Sequence, residues 1–246
     1  MSAWSARFNV LRTTVFRTKN QRIREFHDAH YLRHNMRRLE HLASLGLPLA
    51  GRTVLELGAG IGDHTSFFLD RDCRVCTSDG RLELLEILRG RYPSLRIEHI
   101  DLDEDCPLVD VFEIVYAYGV LYHLKDPVRG LDTMARLCSS LLLLETCVSP
   151  GNDLSVNLVS ENAHFASQAV GGVGCRPTRP WVFAALKERF PFVYSTCSQP
   201  WHPEFPLDWT KEMAGEGLTR AVFVASRQPL DLPELTPTLP DIQVRH

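Results

Sequence analysis

Short apolar runs bounded by turn residues recur along the middle of the chain, at residues 53–57, 74–77, 96–99, 113–118 and 140–147. Their lengths suit strands. Helical stretches fall between most of them, near 64–69, 82–91 and 127–137. Strands that alternate with helices predict a parallel sheet covered on both faces, and right-handed crossovers make it doubly wound. A helix near 181–189 and strands near 192–197 and 219–226 bring the sheet to seven strands. The expected fold is α/β: a doubly wound, mostly parallel, seven-stranded Rossmann-like sheet.

Two segments depart from this alternation. Ahead of it, Ile23, Phe26, Leu32, Met36, Leu39 and Leu42 recur at helical spacing from about Gln21 to Leu45, and Gly46 and Pro48 end that helix. After the fifth strand, residues 149–180 are rich in Ser, Asn, Gly and Pro and show little periodicity. A connection that long within a compact domain is usually functional. The chain therefore divides into an N-terminal helical lid (1–48), a main domain (49–228) with 149–180 as a substrate-side insertion, and an irregular tail (229–246). Pro229, Pro233, Pro237 and Pro240 mark the tail.

Composition narrows the function classes. A formal net charge of -3 over 246 residues argues against a general polyanion binder. No apolar run approaches the ~20 residues that span a bilayer, so no membrane contact is expected. The opening MSAWSARFNVLRTTVF has scattered arginines and no unbroken apolar core, so a cytoplasmic protein is expected. Residues 1–40 hold nine bases (Arg7, Arg12, Arg17, Lys19, Arg22, Arg24, Arg33, Arg37, Arg38) against Glu25, Asp28 and Glu40. A solvated helical face and a patch attracting an anionic substrate both explain them. The seven cysteines are odd in number and widely spread, unlike a disulfide framework. Cys73 and Cys76 have CxxC spacing but sit in a strand with no second pair nearby, so reduced thiols and no metal are expected.

The segment TVLELGAGIGDHTSFFLDRDCRVCTSDGR is the most informative. An apolar strand ends in Glu56; a turn follows with Gly58, Ala59, Gly60 and Gly62; a helix starts near Asp63. Alternate glycines let backbone amides approach a ligand, and a helix N-terminus adds free N–H groups. The second strand ends at Asp79, next to Gly80, where a carboxylate is suited to accept bonds from ribose hydroxyls. The turn is G-x-G-x-G, not the G-x-G-x-x-G of dinucleotide sites, and Asp63 stands where the last glycine would be. Acids at Glu56 and Asp63 repel a pyrophosphate but favour a cationic methylsulfonium carrying an ammonium group. The sign of the charge thus disfavours a nicotinamide oxidoreductase.

ELGAGIG resembles the first motif of class I S-adenosylmethionine-dependent methyltransferases, and Asp79 matches that family's ribose-binding acid. FEIVYAYGVLYHLKDP resembles the family's fourth strand and the loop after it. The resemblance covers roughly residues 50–147. It implies S-adenosyl-L-methionine as cofactor, with Asp101 near adenine, Leu102 against the ring, and Tyr118 among the cofactor contacts.

Tyr122 and His123 lie just beyond the fourth strand, on the edge where such sheets place ligands. His123 is a candidate general base as well as a substrate contact. Glu145 interrupts the apolar LLLLETCV and is either paired to an arginine or pointed into the site as a catalytic acid or base. In the 149–180 segment, Gly171, Gly172 and Gly174 permit close approach, while Arg176 and Arg179 are candidates to grip a substrate carboxylate or phosphate. The stretch GVLYHLKDP…LLLLETCV is also similar to the tRNA uridine carboxymethyltransferases, but no aromatic-interleaved basic surface marks an RNA groove. The expected partner is a small molecule or sugar, methylated on oxygen by direct displacement. RNA modification and a non-catalytic cofactor-binding protein are the alternatives, and monomer and homodimer both stay open.

Overall fold

The computed structural model describes residues 21, 23–211 and 218–246; Arg7, Arg12, Arg17, Lys19 and Arg22 fall outside them. The apolar runs form the strands β1 (Thr53–Glu56), β2 (Arg74–Asp79), β3 (Arg96–His99), β4 (Phe112–Tyr118) and β5 (Cys138–Cys147). All five pair in parallel, in the order β5-β4-β1-β2-β3. Along β1, β4 and β5, successive side chains enter different cores. Leu55, Val115, Ala117, Leu142 and Leu144 pack in one cluster, while Val54, Ile114, Tyr116, Leu141 and Leu143 pack in another. A strand buried on both faces needs a continuous apolar run, which is why LLLLETC reads as it does.

Helices cover the two faces. The first core takes side chains from α4 (Pro127–Leu137) and α5 (Arg179–Lys187), the second from α1 (Ala29–Ser44) and α2 (Thr65–Leu69); α3 (Leu82–Arg91) lies beside β2 and β3. Local sequence sets their starts. The carboxylates of Asp28 and Asp126 and the hydroxyl of Thr178 accept backbone N–H bonds from Tyr31, Arg129 and Trp181, and prolines occupy the first turns of α4 and α5.

Four expectations are corrected in detail. The sheet has eight strands, not seven: β8 (Phe192–Thr196) and antiparallel β10 (Arg220–Ser226) extend it past β5, and β11 (Leu235–Thr236) adds an edge. The tail is therefore not irregular throughout. It supplies β11 and also β12 (Val244–Arg245), which pairs in parallel with β9 (Ser198–Gln199). Residues 149–180 are not aperiodic either: β6 (Val156–Ser160) and β7 (Val173–Pro177) form an antiparallel hairpin. Finally, α1 buries only part of the apolar stripe: Leu42 is buried and Leu39 packs against the second core. Leu32 and Met36 are exposed, whereas His34, Asn35, Arg38 and His41 are buried with Leu42. The inward face of this helix is polar because it meets charged groups, described next.

Candidate functional site

The strand order reverses between β1 and β4, and the crevice beyond the carboxyl ends of those strands is where open α/β sheets bind ligands. The glycine turn fills that position. Gly60 has φ of 60°, which favours glycine, and a Cβ there would stand 3.1 Å from the Phe26 ring. Its N–H donates to Asp79 Oδ2 at 2.9 Å, which ties the turn to the tip of β2.

Two adjoining cavities open here, sharing Phe26, Tyr31, Gly58, Gly60, Gly119 and Tyr122 in their walls. The larger encloses about 760 Å³, open to solvent, and carries Asp79, Gly80, Asp101, Leu102 and His123 in its wall. The smaller, about 530 Å³, is lined by Glu56, Ala59, Tyr118, His64 and Arg38, among others. Within the smaller cavity, Tyr118 Oη, His64 Nε2 and Asp63 Oδ2 are buried with no hydrogen-bond partner among the described residues. Buried polar atoms left unpaired are costly and mark a place built for a polar ligand.

Burial governs the acids. Asp79 accepts from the Gly60 and Arg81 N–H groups, yet burial outweighs them and raises its carboxyl to about 6. Burial raises Glu56 to about 7, although the Thr65 hydroxyl donates to it at 2.6 Å. Asp63, by contrast, is bound at Oδ1 by Arg91 at 2.6 Å. Asp63 Oδ1 is thus occupied, while its bare Oδ2 joins Glu56 and Asp79 in the walls of the site. Two acids near neutrality, a glycine cradle and orphaned polar atoms are a chemical fit for a cationic nucleoside such as S-adenosylmethionine.

His123 lies in a 3-10 turn after β4. Its Nδ1 stands 2.5 Å from Glu161 Oε2 on the loop between β6 and β7. Burial lowers the imidazole, against the opposing pull of Glu161, so His123 is neutral at pH 7. Burial alone would raise Glu161, but His123, the Ala169 N–H and Arg176 together hold it below the usual carboxylate range. The same loop roofs the larger cavity with Ala166, Ser167, Gln168 and Val170. Arg81 grips it by donating to the Gln168 and Ala169 carbonyls, and Glu25 accepts from the Ala166 N–H.

Other candidates stand elsewhere. Gly62 lines neither cavity; a Cβ on it would lie 2.7 Å from Leu88 and Tyr92, so its role is helix packing. Glu145 is fully buried between Arg38 (2.7 Å) and Arg220 (3.0 Å). Burial would raise its carboxyl, but Arg220 and Arg38 lower it further, so it is a paired anion and not a free base. Arg176 donates to the Tyr122 carbonyl and to Glu161 and stacks over the Tyr122 ring. Arg179 donates to the Pro240 carbonyl and lies over Trp209, outside both cavities. Both arginines are occupied in holding the fold, so neither is placed to grip a substrate. Glu161, Arg38, Arg81 and Phe26 are the site residues that the motifs did not single out. For Arg38 the available signal was a polar inward stripe on α1; Phe26 stood in the apolar series before it, and Glu161 in the 149–180 segment.

Comparison with known proteins agrees with this geometry. Residues 54–140 match the family model described as "Methyltransferase domain". The tRNA U34 carboxymethyltransferase of Shewanella denitrificans is 34% identical over 129 residues, 48% of this chain and 38% of that protein. The chain thus aligns with well under half the length of this relative. Among solved structures, the N-terminal domain of EvdMO1, studied with SAH and D-fucose, is similar with a TM-score of 0.60 at 20% identity, over 82% of this chain and 85% of that one. A Burkholderia thailandensis 1,6-didemethyltoxoflavin-N1-methyltransferase with SAH is similar with a TM-score of 0.56 at 20% identity, over 93% and 92%. Residues 54–140 thus match a methyltransferase domain, on a fold shared with methyltransferase structures that hold SAH.

Proposed function

We propose that this chain methylates a hydroxyl of a small polar molecule, such as a sugar or hydroxylated ring, with His123 as general base. The observation that carries this reading is His123 in the cavity wall with its Nδ1 paired to Glu161. S-adenosylmethionine supplies an electrophilic methyl group when bound. Asp79 is suited to hold its ribose, and Glu56 and Tyr118 its charged amino-acid end. Because Glu161 stays ionised, it accepts the Nδ1 proton, and Nε2 is left to take the proton of the attacking hydroxyl. Glu161 then stabilises the resulting imidazolium. The roof formed by the 161–172 loop and Phe26 limits water and suits an enclosed substrate.

The test is transfer of labelled methyl from S-adenosylmethionine to a panel of monosaccharides, phenols and tRNA. His123→Ala is expected to lower turnover about 100- to 10,000-fold, the usual worth of a general base, with cofactor affinity unchanged. An unaltered rate removes His123 from the mechanism. A second reading, transfer to RNA, is supported by the similarity to the tRNA carboxymethyltransferases. It requires labelled tRNA and a steep loss of RNA affinity with salt.

A further inference from the structure

Behind the smaller cavity, the first turns of α1 face the loop Pro200-Trp201-His202-Pro203-Glu204-Phe205. His30 and His34 stand four residues apart on the helix, the spacing with which one helix face offers two imidazoles to one metal ion. His202 and Glu204 flank Pro203, on a loop whose Phe205 is fully buried. We propose that His30, His34, His202 and Glu204 form a binding site for one divalent transition-metal ion of the zinc class.

Distance supports it first. One ligand atom each from His34, His202 and Glu204 lies within 4.8 Å of the others. His34 Nε2 is 3.8 Å from Glu204 Oε2, and His30 Nε2 is 3.3 Å from Oε1. Bonds of about 2.1 Å in a tetrahedral site put ligand atoms about 3.4 Å apart, so these side chains already stand near that spacing.

The second support is independent. His34 is 4% exposed, and its Nε2 has no hydrogen-bond partner among the described residues. A buried imidazole nitrogen left bare is costly; a metal bond satisfies it.

His34, His202 and Glu204 bring two nitrogens and a carboxylate oxygen together, a set that suits zinc, and His30, 3.3 Å from the same carboxylate, is the candidate for the fourth position. Arg220 Nε donates to Glu204 Oε2 at 2.5 Å, an outer partner that fixes the carboxylate. Glu145 and Glu204 offset the charges of Arg38 and Arg220 nearby. An ion here joins the N-terminal helix to the body of the domain beside the smaller cavity. The cysteine spacing, which argued against a metal, says nothing about these histidines.

The test uses the full chain without an affinity tag, stripped with chelator and titrated with zinc chloride by calorimetry and with cobalt(II) by absorption. One equivalent of zinc, a thermal midpoint that rises with it, and the intense visible bands of tetrahedral cobalt are expected. His34→Gln and His202→Gln should each lower zinc affinity at least ~100-fold, beyond the ~10–100-fold lost with an outer-shell partner. His30→Gln, at an exposed position that tolerates substitution, should weaken binding in the same direction. Circular dichroism checks that each variant is folded. Failure of the parent to bind one equivalent, a cobalt spectrum like that of the hydrated ion, or folded variants that bind zinc as the parent does would overturn the site.

Discussion

The two halves of the site are built on different principles. The cofactor side is local: Glu56, the glycine turn and Asp79 lie within one strand–turn–helix–strand unit, and their contacts are mostly backbone amides to carboxylates. The remaining walls are assembled from afar. Arg38 meets Glu145 across 107 residues of chain, and His123 meets Glu161 across 38. A locally encoded half can be shared among many proteins, while the distant half is free to vary with the substrate.

The largest break in this comparison is expected from Glu145→Ala. It leaves Arg38 and Arg220 buried without their shared anion and should cost about 3–5 kcal/mol, read as a lower midpoint in denaturant unfolding. A cost below about 1 kcal/mol would mean that ion pairs do not hold these walls together. Next comes Asp79→Ala, which should weaken S-adenosylmethionine binding by about 1.5–3 kcal/mol by calorimetry while leaving the Glu145 cluster intact. Unchanged affinity would unseat the ribose assignment.

A smaller effect is expected from pH. Asp79, raised to about 6, and Glu56, raised to about 7, must be ionised to serve a cationic ligand. Affinity should therefore climb from pH 5 and level off above about pH 8, with up to ~tenfold lost per unit per group below its own value. A flat profile would sink this account. The same raised carboxyls act in the opposite sense on the free chain, whose stability they lower as pH rises through 6 to 7. Smallest of all, Arg179→Ala should cost about 1 kcal/mol of stability through its lost bond to Pro240, and should leave the KM of any substrate unmoved. A raised KM would return Arg179 to the substrate site.

The sequence was legible where periodicity and short motifs decide the outcome. The five parallel strands, the helices between them and the acid at the tip of β2 all follow from spacing within a few dozen residues. It was opaque where one residue's role depends on a remote partner. Glu145 looks alike in sequence as a base or as half of an ion pair; only Arg38 and Arg220 decide. Arg176 and Arg179 read as anion grips until the Tyr122 and Pro240 carbonyls are seen to occupy them. The hairpin after β5 escaped because both strands are short: β6 is largely exposed, and β7, though mostly buried, reads VGCRP with no apolar alternation to betray it.

The polar inward face of α1 has a consequence for how that helix can sit. A greasy contact tolerates sliding and rotation, since one methyl group replaces another at little loss. A guanidinium seated on a single carboxylate, with Asn35 bracing its other nitrogen, admits one angle and one height. The helix is keyed into the domain rather than glued to it, so the cavity wall it forms is set in a single register or not at all.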